Sequence, residues 1–240
     1  MNISRRRVRG IVRKEFREYR HNGNIIYTMA ILPLIFLIQP LIQALVVSDA
    51  ASTALQHEHS LLYLLAIPLM VPAGVAAYAI VGERLQGTLE PVLATPVRRT
   101  ELLLGKAFAA AAPSIVVAYA VYGLFVAIVE LFARPPVASA LIQGPELLAQ
   151  LLFTPLLAVW STWLGLGVSV RSSDPRNAAG VAILVSLPAV AVTSLIAFGA
   201  IPATPAVAFA FAVGLLVLNR LGWQVASGIF DRERLITGTK

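Results

Sequence analysis

The chain has 240 residues, 58% of them hydrophobic and only 13% charged, which lies outside the balance of soluble domains. The absence of cysteine excludes disulfides, a thiolate nucleophile and Cys-based metal sites. The net charge of +7 is divided among several polar segments instead of gathering on one face, so orientation in a bilayer explains it better than nucleic-acid binding.

The apolar residues fall into long blocks with charges between them, the signature of an all-α polytopic membrane protein. Residues 1–24 carry eight Arg or Lys interleaved with Val8, Ile11, Val12, Phe16 and Tyr19 at helical spacing. That pattern predicts an amphipathic helix lying in the membrane interface. A secretory signal would have a continuous apolar core, and a nucleic-acid-binding arm would not need the apolar stripe. Residues 25–221 read as six spans. The first, 25–47, is about 35 Å long at helical rise and contains Pro33, Pro40, Gln39 and Gln43. The polar segment 48–59 follows, in which His57 and His59 flank Glu58; this spacing on a loop, with no third ligand, favours a solvated loop over a metal site.

The second span is 60–82, with Pro68 and Pro72 expected to bend it, and the Ala-rich third is 107–132. Residues 133–146, with Pro135-Pro136 and Gly144-Pro145, read as a connection that does not continue a helix, and 147–170 as the fourth span. In the loop RSSDPRN, 171–177, Asp174 reads as a helix cap and Pro175 as the first helical residue. The fifth span is 178–200, the turn 201–205, the sixth span 206–221, and 222–240 a polar tail. A short re-entrant hairpin within the last two spans is the alternative.

Between the second and third spans lies the longest polar interval flanked by apolar runs, ERLQGTLEPVLATPVRRTELLLGK, 83–106. Gly87 and Thr88 read as a turn and cap, and 89–94 as a short helix that tolerates Pro91 in its first turn. Thr95 and Pro96 stop that helix, and Thr100 and Glu101 read as cap and first position of the next. Leu89, Val92 and Leu93 fall at i, i+3 and i+4, giving the short helix an apolar face suited to docking. With this interval, both termini and the Arg171 loop on one side, Arg134 is the sole member of the 19 Lys and Arg residues left opposite, which makes that side cytoplasmic.

The run GTLEPVLATPVRRTELLLGK resembles the cytoplasmic loop between the second and third spans of ABC-2-type transporter permeases, where a Gly-Thr-Leu-Glu, Thr-Pro and Gly-Lys series recurs. The Arg171 loop, with flanking GVSV and AAG, resembles the family's loop between spans four and five more weakly. In that family the first loop forms a coupling helix seated in a separate ATP-hydrolysing subunit. The resemblance implies a coupling role for Gly87, Thr88, Leu89, Glu90, Pro91, Val92, Leu93, Thr95, Pro96, Arg98 and Arg99. Leu89 and Leu93 would form the docking face, with Glu90, Arg98 and Arg99 at its rim; solvation or headgroup attraction is the alternative for the two arginines. Residues 1–24 correspond to the family's elbow helix, and Glu83 is a candidate hinge contact to its arginines Arg13 and Arg17.

The resemblance further implies two facing permease chains, identical or different, in the plasma membrane of a prokaryote with both termini cytoplasmic. They would work by alternating access, with ATP and Mg bound by the partner ATPase and no cofactor here. The residues agree that no engine is present. The spans carry almost no ionisable group for ion coupling, and Gly105-Lys106 lacks the earlier glycine and following hydroxyl of a phosphate loop. No nucleophile–base pair stands at membrane depth for an enzyme. Gln39, Gln43, Tyr119, Thr154, Trp160 and Ser161 are the candidate pathway residues, each with an interhelical bond or interfacial anchor as its alternative. Their lack of charge leans toward an amphipathic or lipid-like cargo, while backbone carbonyls at proline breaks offer a route for a cation. A non-conducting anchor subunit and an autonomous channel or carrier are the competing readings.

Overall fold

The computed structural model describes residues 4–46, 59–89, 95, 97–202 and 204–229. Those residues form helices and their connections, with no strand among them. Helix α1 is Arg5–Tyr19 and α2 is Gly23–Val46. A six-residue 3-10 segment, Ser60–Leu65, leads into α3, Ala66–Leu85. Then come α4, Arg99–Phe132; α5, Pro135–Leu141; α6, Gly144–Arg171; α7, Pro175–Ala197; and α8, Pro205–Ile229. Six of these are long and apolar enough to cross a membrane: α2, α3 with its lead-in, α4, α6, α7 and α8.

The fold is organised around α3. Nearly all its residues are buried, whereas the other five spans expose large apolar side chains such as Ile38, Phe108, Leu148, Leu184 and Phe209. In a bilayer those faces meet lipid, so their exposure costs nothing. The closest packing is between α3 and α6, and small residues make it possible. Ser161, Gly165 and Ser169 recur every four residues on one face of α6. Ser161 Oγ donates to the Leu69 carbonyl at 2.5 Å, and Ser169 Oγ accepts from the amides of Ile80 and Val81 at 3.0 and 3.1 Å. Between them the backbones approach so closely that a Cβ on Gly165 would lie 2.4 Å from the Ala73 carbonyl oxygen.

Several boundaries differ from the sequence reading for identifiable reasons. The third span starts at Arg99, eight residues early, because Glu101 reaches back to the Arg98 amide at 3.0 Å; Arg98 is the cap, and Thr100 lies inside the helix. The 133–146 connection contains α5, since Pro135 and Pro136 occupy first-turn positions where no amide is needed. The sixth span runs to Ile229, not Leu221, because Gly222 lets α8 press against Trp163; a Cβ there would sit 2.8 Å from the indole. What reads in sequence as a polar tail from residue 222 is thus helical as far as Ile229, and α7 and α8 are each continuous instead of re-entrant. Asp174 does cap α7, accepting from the Asn177 amide at 3.0 Å, with Pro175 next.

Candidate functional site

The interval between α3 and α4 is held at both roots by α1. Along α1, Ile11, Glu15 and Tyr19 recur every four residues on the inward face. The contact is possible because α4 carries Gly105 there, where a Cβ would lie 2.7 Å from Ile11 Cγ2. The next residue, Lys106, is fully buried. Its ammonium donates to Glu15 Oε1 and to the Ala79 carbonyl, each at 2.7 Å, and forms an ion pair with Glu83 Oε2 at 2.9 Å. The other oxygen of Glu83 accepts from Lys14 of α1, which also pairs with Glu18 at 3.1 Å. Glu83 therefore fixes the end of α3, and Lys106 the start of α4, to the same face of α1.

A second clamp sits four residues before Gly105. Glu101 Oε1 accepts from the Ser4 amide at 2.8 Å, while Oε2 accepts from the Arg98 amide at 3.0 Å and from Arg7 Nη1 at 3.2 Å. Arg84, adjacent to Glu83, forks across to α6 and donates to the carbonyls of Val170 and Ser172, each at 3.1 Å. One fork thus joins the root of the first polar loop to the start of the second. Burial lowers the affinity of Lys14 for its proton, but the hydrogen bond and charge of Glu83 outweigh this and raise its pKa above 10.5. Burial, with Glu15 and Glu18 nearby, likewise pushes the Tyr19 phenol well above its usual 10.0.

The hinge expected between Glu83 and the α1 arginines is made instead by Lys14 and Lys106. Arg13 and Arg17 point outward, where with Arg9, Arg20, Val12 and Phe16 they line a basic and apolar surface. Helical phase is the reason: Lys14 and Glu15 face α3 and α4, while Arg13 and Arg17 lie on the flank. Glu15, Glu18 and Glu83 bring carboxylates within 4.8 Å of one another, but Lys14 and Lys106 already supply the cations.

Of the loop itself, Gly87 turns with φ of 66°, and the Thr88 amide donates to the Glu83 carbonyl at 3.0 Å. Leu89, expected to face a partner, is buried in this chain's own core with Leu102, Leu103 and Ile80. It anchors the loop instead of presenting it. Thr95, Arg98 and Arg99 are exposed. Glu90, Pro91, Val92, Leu93 and Pro96 lie outside the described residues, and with them the short helix expected at 89–94.

The candidate pathway residues are scattered; two of them bond to a neighbouring helix, and Thr154 contacts its own. Tyr119 Oη donates to the Leu151 carbonyl at 2.8 Å, Ser161 is tied to Leu69, and Thr154 Oγ1 lies 3.4 Å from Gln150 Oε1. Gln39 and Gln43 are half-buried on α2, and Trp160 lines an apolar groove between α6 and α8. His59 does not sit in a solvated loop: its Nδ1 is 2.8 Å from Glu146 Oε1, and Glu146 is only 3% exposed. Sequence reasoning missed Lys106 because a lysine beside a loop reads as loop charge. The available signal was its place in LLLGKAFAAAA, an apolar run that continues on both sides.

The family model for the ABC-2 family transporter protein matches residues 9–231, from inside α1 to just past α8. No curated protein matches the chain.

Proposed function

The chain belongs to the ABC-2 transporter family and is a transmembrane permease of that type, and from this premise we propose that it is driven by a separate ATP-hydrolysing subunit docked on the loop between α3 and α4. The observation that carries the reading is the double clamp. Glu83 with Lys14 and Lys106, and Glu101 with Ser4 and Arg7, fasten the two ends of one loop to one helix. A loop so held transmits a push to α3 and α4 together, where a slack loop would absorb it. Val92 and Leu93 are the apolar docking residues in this reading, Glu90, Arg98 and Arg99 its polar rim, and Leu89 the inner anchor. In this reading α1 is the elbow helix on the cytoplasmic side, and its basic face, with Arg9, Arg13, Arg17 and Arg20, meets the headgroups.

ATP and Mg then belong to the ATPase, and this chain binds neither. Two permease chains face each other, and closure of the ATPase pair rocks the spans to expel an amphipathic cargo. The test is a pull-down of the detergent-solubilised chain from its native membrane, beside the variant Val92→Asp/Leu93→Asp. An ATPase recovered with the wild type and lost with the variant is the expected result. Recovery with neither, from folded chain, rules the docking reading out.

A further inference from the structure

At the end of the bundle opposite α1, the first turn of α6 and the start of the 3-10 lead-in border a cavity of about 260 Å³. Its walls are Leu62, Leu65, Ile196 and Val207, together with Phe153 and Phe211, whose rings meet edge to face at 5.2 Å between centroids. Two ionisable side chains line it, Glu146 and His59. Glu146 Oε1 is 2.8 Å from His59 Nδ1, and the Leu61 amide faces the same carboxylate. Oε2, however, is buried with no hydrogen-bond partner among the described residues.

A buried carboxylate oxygen without a donor is costly, and such an atom in a native site calls for a partner. Of the cavity's two hydroxyls, that of Thr193 is committed as a donor, while that of Thr204, an exposed residue, is engaged as an acceptor. Thr193 Oγ1 donates to the carbonyls of its own helix at 2.9 and 3.3 Å, and Thr204 Oγ1 accepts from the Val207 amide at 3.3 Å. A ligand carrying an N–H donor would supply the partner that the described residues do not. The surroundings specify its kind: apolar walls for a hydrophobic body, one acceptor at the rim, and aromatic faces that favour a cation over an anion.

We propose that this cavity is a binding site for a compact amphipathic amine, its ammonium donating to Glu146 Oε2 and its apolar body packed against Phe153 and Phe211. The assignment deepens the permease reading by naming a chemical class for what the spans handle. Binding is measured on the chain alone, so that a missing ATPase cannot imitate a missing site.

The probes are 1-adamantylamine, 1-adamantanol and 1-adamantanecarboxylate, titrated by calorimetry into the full chain in lipid nanodiscs, with empty nanodiscs as blank. The amine is expected to saturate one site per chain at least about tenfold more tightly than the alcohol, and the carboxylate not to bind. Glu146→Gln removes the preference for amine over alcohol, and Ala208→Phe, which fills the cavity from α8, abolishes both. Ala208→Phe also serves should Glu146→Gln fail to fold. Tyr122→Phe removes a second buried hydroxyl that lacks a partner. It leaves amine binding within about twofold, whereas a loss equal to that of Glu146→Gln means phenol and carboxylate serve each other and overturns the site. Equal binding of the carboxylate, uptake equal to empty nanodiscs, or indifference to both Glu146→Gln and Ala208→Phe also overturns it. Amine binding by a chain that recruits no ATPase would keep this site and sink the docking reading; the reverse result would do the opposite.

Discussion

The two ends of the helical bundle both bury carboxylates, several around α1 and one, Glu146, at the far end, and they treat them differently. Around α1, the carboxylates are paired with cations: Glu15 and Glu83 with Lys106 and Lys14, and Glu101 with Arg7. At the far end, Glu146 has His59 on one oxygen and no described partner on the other. A network of paired charges drawn from several helices joins parts of the chain rigidly. Glu146, beside an apolar cavity, is where we place a ligand instead. The polar residues of this permease thus divide into those that connect helices and Glu146, the carboxylate we propose as a ligand's partner.

The contrast can be broken most severely at Lys106. Lys106→Ala strips the cation from between Glu15 and Glu83, and a buried pair that loses one partner costs about 3–5 kcal/mol. A steep fall in thermal midpoint in detergent is expected; an unchanged midpoint would mean that the cluster is solvated. Next comes Gly165→Ala, whose methyl would meet the Ala73 carbonyl, with an expected loss of about 1–3 kcal/mol read in the same assay. Asp174→Ala removes the cap of α7 for about 1 kcal/mol, seen as faster amide exchange over its first turn with the other helices unaffected.

Arg13→Ala and Arg17→Ala sharpen the comparison from the other side. Both side chains are exposed, and stability should stay within about 0.5 kcal/mol. A larger change would restore the arginine hinge expected from sequence. Smallest of all is the effect of pH on Lys14. Its pKa in the folded chain lies above 10.5, so the stability it adds is fully present below that value and is lost only as pH climbs past the raised pKa. Melting measured across the neutral range should therefore show no step from this group.

The six spans were legible because lipid demands long apolar runs, and the Asp174-Pro175 cap because it is a local signal. The clamp was not, because its partners are far apart in the chain: Glu15 and Lys106 are separated by 91 positions, and Lys14 and Glu83 by 69. Periodicity says that Lys14 and Glu15 share a helix with Arg13 and Arg17, but only the approach at Gly105 decides which of them face inward. Leu89 shows the same limit. Its place on an apolar face is visible in sequence; whether that face belongs to a partner or to the chain's own core is not.

The burial of α3 has a consequence for how the protein senses its surroundings. Hydrophobic mismatch acts on helices that touch acyl chains, tilting them or pulling on their flanks. Five spans expose such surface along their length, and α3 only at its last residue, Leu85. A thinner or thicker bilayer therefore reaches α3 mainly through its neighbours, and along α6 the seam of Ser161, Gly165 and Ser169 resists sliding, since any shift would drive Cα of Gly165 against backbone. The central helix keeps its register while the outer ones adjust, like a mast whose rigging takes up changes in the hull.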